Sequence, residues 1–232
     1  MGTRLTPRAA VAIALVVLGS ASSSAFAAFS WSNPSGSNAV FDWANGQNQT
    51  NLFGSPLVST AGFVFFPNNL VANSVNGTPA SATDTAEVDI FIKAGLQLDK
   101  VEVRAYGDYS ITGPGPNQVN ASTTVSVSNL EQPALPALTS GMITTPGMPI
   151  TSGAGSWSGV SVTTLPDGVT KVHLNVNALY QATSSSTGAA TIGQHIGQAA
   201  IEVELFVPEP GSAAVVLGGA GLLLARRRRH HA

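Results

Sequence analysis

The chain has 232 residues, twelve carboxylates, ten Lys and Arg, a formal net charge of −2 and no cysteine. That length allows one globular domain with accessory segments, and the lack of cysteine excludes a small disulfide-stapled scaffold, so an apolar core has to hold the fold. Six of the ten cations sit at the ends, leaving Lys93, Lys100, Arg104 and Lys171 against acids that all lie between Asp42 and Glu209; an acidic middle without a basic stripe excludes nucleic-acid binding, which needs cations at phosphates.

The N-terminus reads as an export signal over residues 1–27. Arg4 and Arg8 form a positive start, and "AAVAIALVVL" (Ala9 to Leu18) is an apolar run too short to span a bilayer well. Small residues then lead to Ala25-Phe26-Ala27, an A-x-A site whose cleavage leaves a mature chain starting at Ala28. No Arg-Arg pair is present there, which favours the general secretory translocon over the twin-arginine route.

Residues 28–206 read as one extracytoplasmic β domain. Its start, "WSNPSGSNAVFDWANGQNQTNLFGSP", is rich in Gly, Asn and aromatics and predicts loops with an edge strand. Period-two alternation follows in five places. Val88, Ile90 and Ile92 alternate with Glu87, Asp89 and Phe91; Val101, Val103 and Ala105 alternate with Lys100, Glu102, Arg104 and Tyr106. Val125 and Val127 repeat the pattern; Val172, Leu174, Val176 and Ala178 alternate with Lys171, His173, Asn175 and Asn177; Ile201, Val203, Leu205 and Val207 alternate with Glu202, Glu204 and Phe206. One dry and one wet face is the pattern of antiparallel strands over a core. Turn-formers separate the strands, and Asp167-Gly168 predicts a hairpin. The expected fold is all-β, an antiparallel β-sandwich, jelly-roll or Ig-like, of about seven to ten strands. The Pro/Gly-rich stretch from Asn129 to Ser156 predicts a long surface excursion.

The end of the chain has a separate logic. Val207-Pro208-Glu209-Pro210 is followed by fifteen uncharged residues, Gly211 to Ala225, and then by Arg226, Arg227, Arg228 and Arg229. Fifteen helical residues reach about 22 Å against a hydrocarbon core of about 30 Å, a marginal span. The arginines stop transfer and hold the C-terminus in the cytoplasm, so the β domain faces out. Prolines at 208 and 210 suit the start of a helix. His230 and His231 are only two histidines and read as a ragged end.

This order of motif, short apolar helix and basic end over residues 207–232 resembles the PEP-CTERM sorting signal of Gram-negative bacteria. The resemblance implies processing by exosortase, a membrane-embedded cysteine protease or transpeptidase that cuts near the Pro-Glu-Pro motif. It also implies a transient inner-membrane stage, with the bulk of the chain in the periplasm, then release or transfer to the cell surface, often alongside exopolysaccharide or biofilm production. It implies nothing about the β domain, because members share the tail and not the cargo.

The β domain shows little chemistry. It has no G-x-S-x-G elbow, and His173 falls on a wet strand face while His195 falls in a Gly-rich stretch. No His/Glu spacing suits zinc. Asp84, Glu87 and Asp89 cluster in sequence, as do Asp99, Glu102 and Asp108, and paired carboxylates can hydrolyse glycosides; but alternation makes Glu87 and Asp89 neighbours on a solvent face, an ordinary place for strand carboxylates. Asp84 and Asp89 are also a candidate calcium pair, without the dense D-x-D-x-D-G spacing. Trp31, Trp43 and Trp157, with Tyr106 and Tyr109, are candidates for a sugar-stacking platform, against the more usual core packing of tryptophan. The glycan acceptor patterns at Asn48, Asn76 and Asn120 read as chance. The expectation is a non-enzymatic surface or matrix protein without cofactor or metal; the alternative is a module that binds extracellular polysaccharide.

Overall fold

The computed structural model describes residues 28–67, 69–194 and 200–208. All regular structure among them is β. The strands are β1 (Phe29–Ser30), β2 (Gly36–Ser37), β3 (Phe41–Asn48), β4 (Leu57–Val58), β5 (Gly62–Phe65), β6 (Val71–Val75), β7 (Ala80–Ile92), β8 (Lys100–Thr112), β9 (Gln118–Asn129), β10 (Leu138–Gly141), β11 (Ile143–Thr145), β12 (Gly153–Thr164), β13 (Lys171–Thr183), β14 (Ala189–Gln194) and β15 (Ile201–Phe206). They form two antiparallel sheets. Sheet A has the order β1-β3-β7-β13-β9-β10 with β2 beside β3. Sheet B has the order β11-β12-β8-β15-β5-β4, with β14 paired to β8 and β6.

The period-two pattern creates this arrangement. Val88, Ile90, Val125, Val127, Val172, Leu174 and Val176 point inward from sheet A and meet Val101, Val103, Ile201, Val203 and Leu205 from sheet B, all buried. β-branched residues suit such half-buried pleats, and each full burial of a Val, Ile or Leu is worth about 1.5–3 kcal/mol. All five alternating segments face as their sequence predicts, and the sandwich class holds. The long strands β7, β8, β9, β12 and β13 alternate between the sheets along the chain, whereas immunoglobulin order sets some consecutive strands side by side in one sheet.

Three sequence expectations need correction. Asp167-Gly168 is a turn, with Gly168 at φ 81°, but it joins β12 of sheet B to β13 of sheet A and is not a hairpin. Leu165 and Val169 on either side of it are buried. Leu165 N–H donates to Asp99 O at 2.8 Å, and Leu98 N–H donates to Val169 O at 2.9 Å, so the turn closes one end of the sandwich. The stretch from Asn129 to Ser156 is exposed in its loops but is not structureless. β10 extends sheet A beside β9, and after a corner at Met142, whose N–H donates to Thr123 O at 2.9 Å, β11 extends sheet B beside β12. This segment covers two edges that would otherwise present unpaired backbone. The predicted start of the domain also contains β3, eight residues long and second from the edge.

Segments 1–27, 211–225 and 226–232 lie outside the described residues, and so do His195, Glu209 and Pro210. No helix long and apolar enough to cross a membrane occurs among the described residues.

Candidate functional site

Three cross-strand rows on the outer face of sheet A form a polar cluster. Asp89 on β7 lies opposite Ala44 of β3 and His173 of β13, and His173 lies opposite Ser128 of β9. One row along, Glu87 sits between Gln47 and Asn175, with Ser126 beyond. In the third row Thr85 faces Asn177, which faces Thr124. Directly opposed side chains are close enough to bond, and here they do. Gln47 Nε2 donates to Glu87 Oε2 at 2.9 Å, and Asn175 Nδ2 donates to Glu87 Oε1 at 2.8 Å. His173 Nδ1 lies 2.7 Å from Asp89 Oδ1. Asn177 Nδ2 donates to Thr85 Oγ1 at 2.7 Å.

Asp89 has one further partner, supplied by an irregularity. The β3–β7 register shifts between Ala44 and Gln47, and Asn45 there has φ 59°. Asparagine is among the few non-glycine residues that tolerate this left-handed conformation, and a bulge re-aims a side chain. The Asn45 Nδ2 consequently donates to Asp89 Oδ2 at 2.7 Å. Gly46 follows because the indole of Trp31 lies against it, in the space a Cβ would fill.

Two adjoining depressions run along these rows and share Gln47. One, of about 530 Å3, has Asn45, Asp89 and His173 on its floor and Ser30, Pro34 and Ser35 on its wall. The other, of about 380 Å3, is floored by Glu87, Asn175 and Asn177 and walled by Ala28. Neither is lined by Lys or Arg. Lys171, farther along β13, pairs with Glu131 at 3.4 Å. A third depression of about 420 Å3, lined by Ser81, Asn120 and Gln181, lies at the far end of β7, β13 and β9.

The outer face of sheet B is held differently. Glu102 is buried between two cations, Lys100 Nζ at 3.0 Å and Arg104 at 2.6 Å, and Arg104 also approaches Glu204 at 3.9 Å. Hydrogen bonding from Lys100 first, then from Arg104, keeps the Glu102 carboxyl below the ordinary glutamate range against the opposing effect of desolvation. Lys100 also lies 3.6 Å from the centre of the Phe206 ring.

The sequence-predicted candidates are scattered over the molecule. Trp31 and Trp157 are core residues, 3% and 2% exposed, so the three tryptophans form no sugar-stacking platform. Trp31 donates Nε1–H to Asn48 Oδ1 and packs on Phe63 and Phe65; Trp157 packs on Tyr180. Trp43 is half-buried and donates to Asn33 O at 3.0 Å. Large rings are worth more in the core than on the surface. Tyr106 and Tyr109 have opposite parity on β8 and share no face.

The calcium pair is also corrected. Asp84 shares the inward parity of Ala86 and Val88, whereas Asp89 points outward. Asp84 is fully buried and accepts the backbone N–H groups of Thr50, Phe53 and Thr85 at 2.8–2.9 Å, so it fastens the 50–53 segment. Glu102 and Asp108 lie six residues apart on β8, about 20 Å, and Asp108 accepts Ser156 Oγ–H at 2.8 Å, so the second carboxylate group does not converge. No group of three metal-ligating side chains occurs among the described residues. Ala28 is the first described residue, Val207 is half-buried and Pro208 is exposed.

Residues Asn45, Gln47 and Asn175 escape a motif search. Their signals are an Asn-Gly pair inside a strand-like segment and an Asn at an outward position of β13. A scan of the chain against protein-family models gives no match, and a search among curated proteins finds no relative.

Proposed function

We propose that the chain is a non-enzymatic exported surface or matrix protein, delivered through the secretion translocon and sorted by exosortase through its C-terminal tail. The observation that carries this reading is the paired address: an A-x-A site ending at Ala27, and Val207-Pro208-Glu209-Pro210 followed by an apolar run and four arginines. Supporting it, the ladders begin at Phe29 and end at Phe206, which pairs with Lys100. Cuts after Ala27 and at residues 208–210 would therefore spare every strand among the described residues. The 211–225 segment serves as the short transmembrane helix, holding the domain briefly in the inner membrane with the bulk in the periplasm before surface or extracellular delivery. Arg226, Arg227, Arg228 and Arg229 serve as its stop-transfer end.

Mass spectrometry of the mature protein tests this. The expected N-terminus is Ala28, the expected C-terminus lies near Pro208 to Pro210, and no peptide from Leu217 to Arg226 should be found. A surface-exposed chain that keeps its arginines overturns the proposal.

A second reading, contact with extracellular polysaccharide, is favoured by the polar groove on sheet A. That groove is lined by no tryptophan.

A further inference from the structure

We infer that the sheet A groove binds an uncharged polysaccharide chain through Asn45, Gln47, Glu87, Asp89, His173 and Asn175. The inference rests on the second reading above and gives it a site and a ligand class.

The hydrogen-bonding sense of the groove selects the ligand. Asn45, Gln47 and Asn175 each spend an amide N–H on a carboxylate of β7. What remains on each of these side chains is a second amide N–H and the acceptor capacity of the amide oxygen, alongside the second lone pairs of four carboxylate oxygens. Such a floor, with acceptors in excess and donors beside them, suits a partner whose groups both donate and accept. Vicinal hydroxyls of a sugar fit it, because adjacent acceptors at fixed spacing can take adjacent O–H groups.

Charge narrows the class. Two carboxylates line the groove and no Lys or Arg does, so uronate- or sulfate-bearing polymers meet like charge.

The shape points to a chain and not to a single sugar. The outward stripe of β13 runs from His173 through Asn175, Asn177 and Leu179 to Gln181, about 27 Å at strand rise. Depressions lie along that line at both ends. Leu179, half-buried between Thr83 and Ser122, offers an apolar patch midway for the carbon face of a ring.

The groove is also prepared before any ligand arrives. Both oxygens of Glu87 and both of Asp89 are already fixed, so little side-chain freedom is lost on binding. The left-handed Asn45 is a conformation usually given to glycine, kept where its side chain reaches Asp89.

Affinity electrophoresis of the full chain in gels carrying dextran, laminarin, xylan or the neutral fraction of the producing cell's own exopolysaccharide tests the inference, with alginate as the anionic probe. Retardation is expected in at least one neutral polymer and not in alginate, and it should persist in high salt. Asn45→Gly keeps the backbone conformation at no steric cost, so the fold and its melting temperature should hold while binding weakens about tenfold. Asp89→Asn should weaken it similarly. Retardation in alginate alone, its loss in high salt, its absence across the neutral panel, or unchanged binding by both variants overturns the inference. Failure here leaves the C-terminal trimming result untouched, and an untrimmed tail leaves this binding result untouched.

Discussion

The two outer faces solve one problem in different ways. Sheet B neutralises Glu102 with Lys100 and Arg104, a charged network that closes on itself. Sheet A holds Glu87 and Asp89 with amides and a single histidine, so these two carboxylates are immobilised without a Lys or Arg partner. A face that settles its charges internally has little to offer a ligand. A face that fixes its acceptors with neutral donors keeps both geometry and capacity for one.

The sharpest way to probe that difference begins inside the sandwich, where neutral donors act alone. Asp84→Ala removes the acceptor of three backbone N–H groups and should lower unfolding free energy by about 3 kcal/mol, read from the urea midpoint. Asp84→Asn, which keeps one acceptor oxygen, should lose less. A negligible shift for Asp84→Ala would show that the 50–53 segment is held by Phe53 packing and not by the carboxylate.

On sheet B, Glu102→Gln should cost about 1 kcal/mol at neutral pH. Because the folded carboxyl titrates below its ordinary value of 4.5, its contribution is complete above that value and fades as pH falls through the lower, folded one. The stability curves of the native chain and Glu102→Gln should therefore converge in acid. Added salt should shrink their difference at neutral pH.

The smallest effect belongs to sheet A. Glu87→Gln should change stability by less than about 0.5 kcal/mol, with no salt dependence, because its partners Gln47 and Asn175 are neutral and can bond an amide. A cost equal to that of Glu102→Gln, screened in the same manner, would erase the contrast between the faces.

Much of this is legible in the chain. The alternation of Val172, Leu174 and Val176 with His173, Asn175 and Asn177 places β13 correctly on both faces, since side-chain parity is a local property of an extended backbone. The same rule puts Glu87 and Asp89 outside. Applied to Asp84, whose parity matches Ala86, it turns that carboxylate inward and away from Asp89, against the calcium pairing. The tryptophans are not legible in this way. Nothing local tells whether Trp31 will stack in solvent or, as it does, lie on Gly46 and reach Asn48. Asp167-Gly168 carries a sound turn signal, but whether a turn joins neighbours or crosses between sheets is set by where Leu165 and Val169 are buried.

The sequence by itself determined the class of fold, the facing of the five alternating strands and the terminal patterns from which the sorting proposal is drawn, because these depend on patterns a few residues long. Only the tertiary structure decided that Asp89 would meet His173 across 84 residues of chain, and that a bulge would turn Asn45 onto the same carboxylate. Those neighbours follow from strand order and register, which many distant apolar contacts fix together.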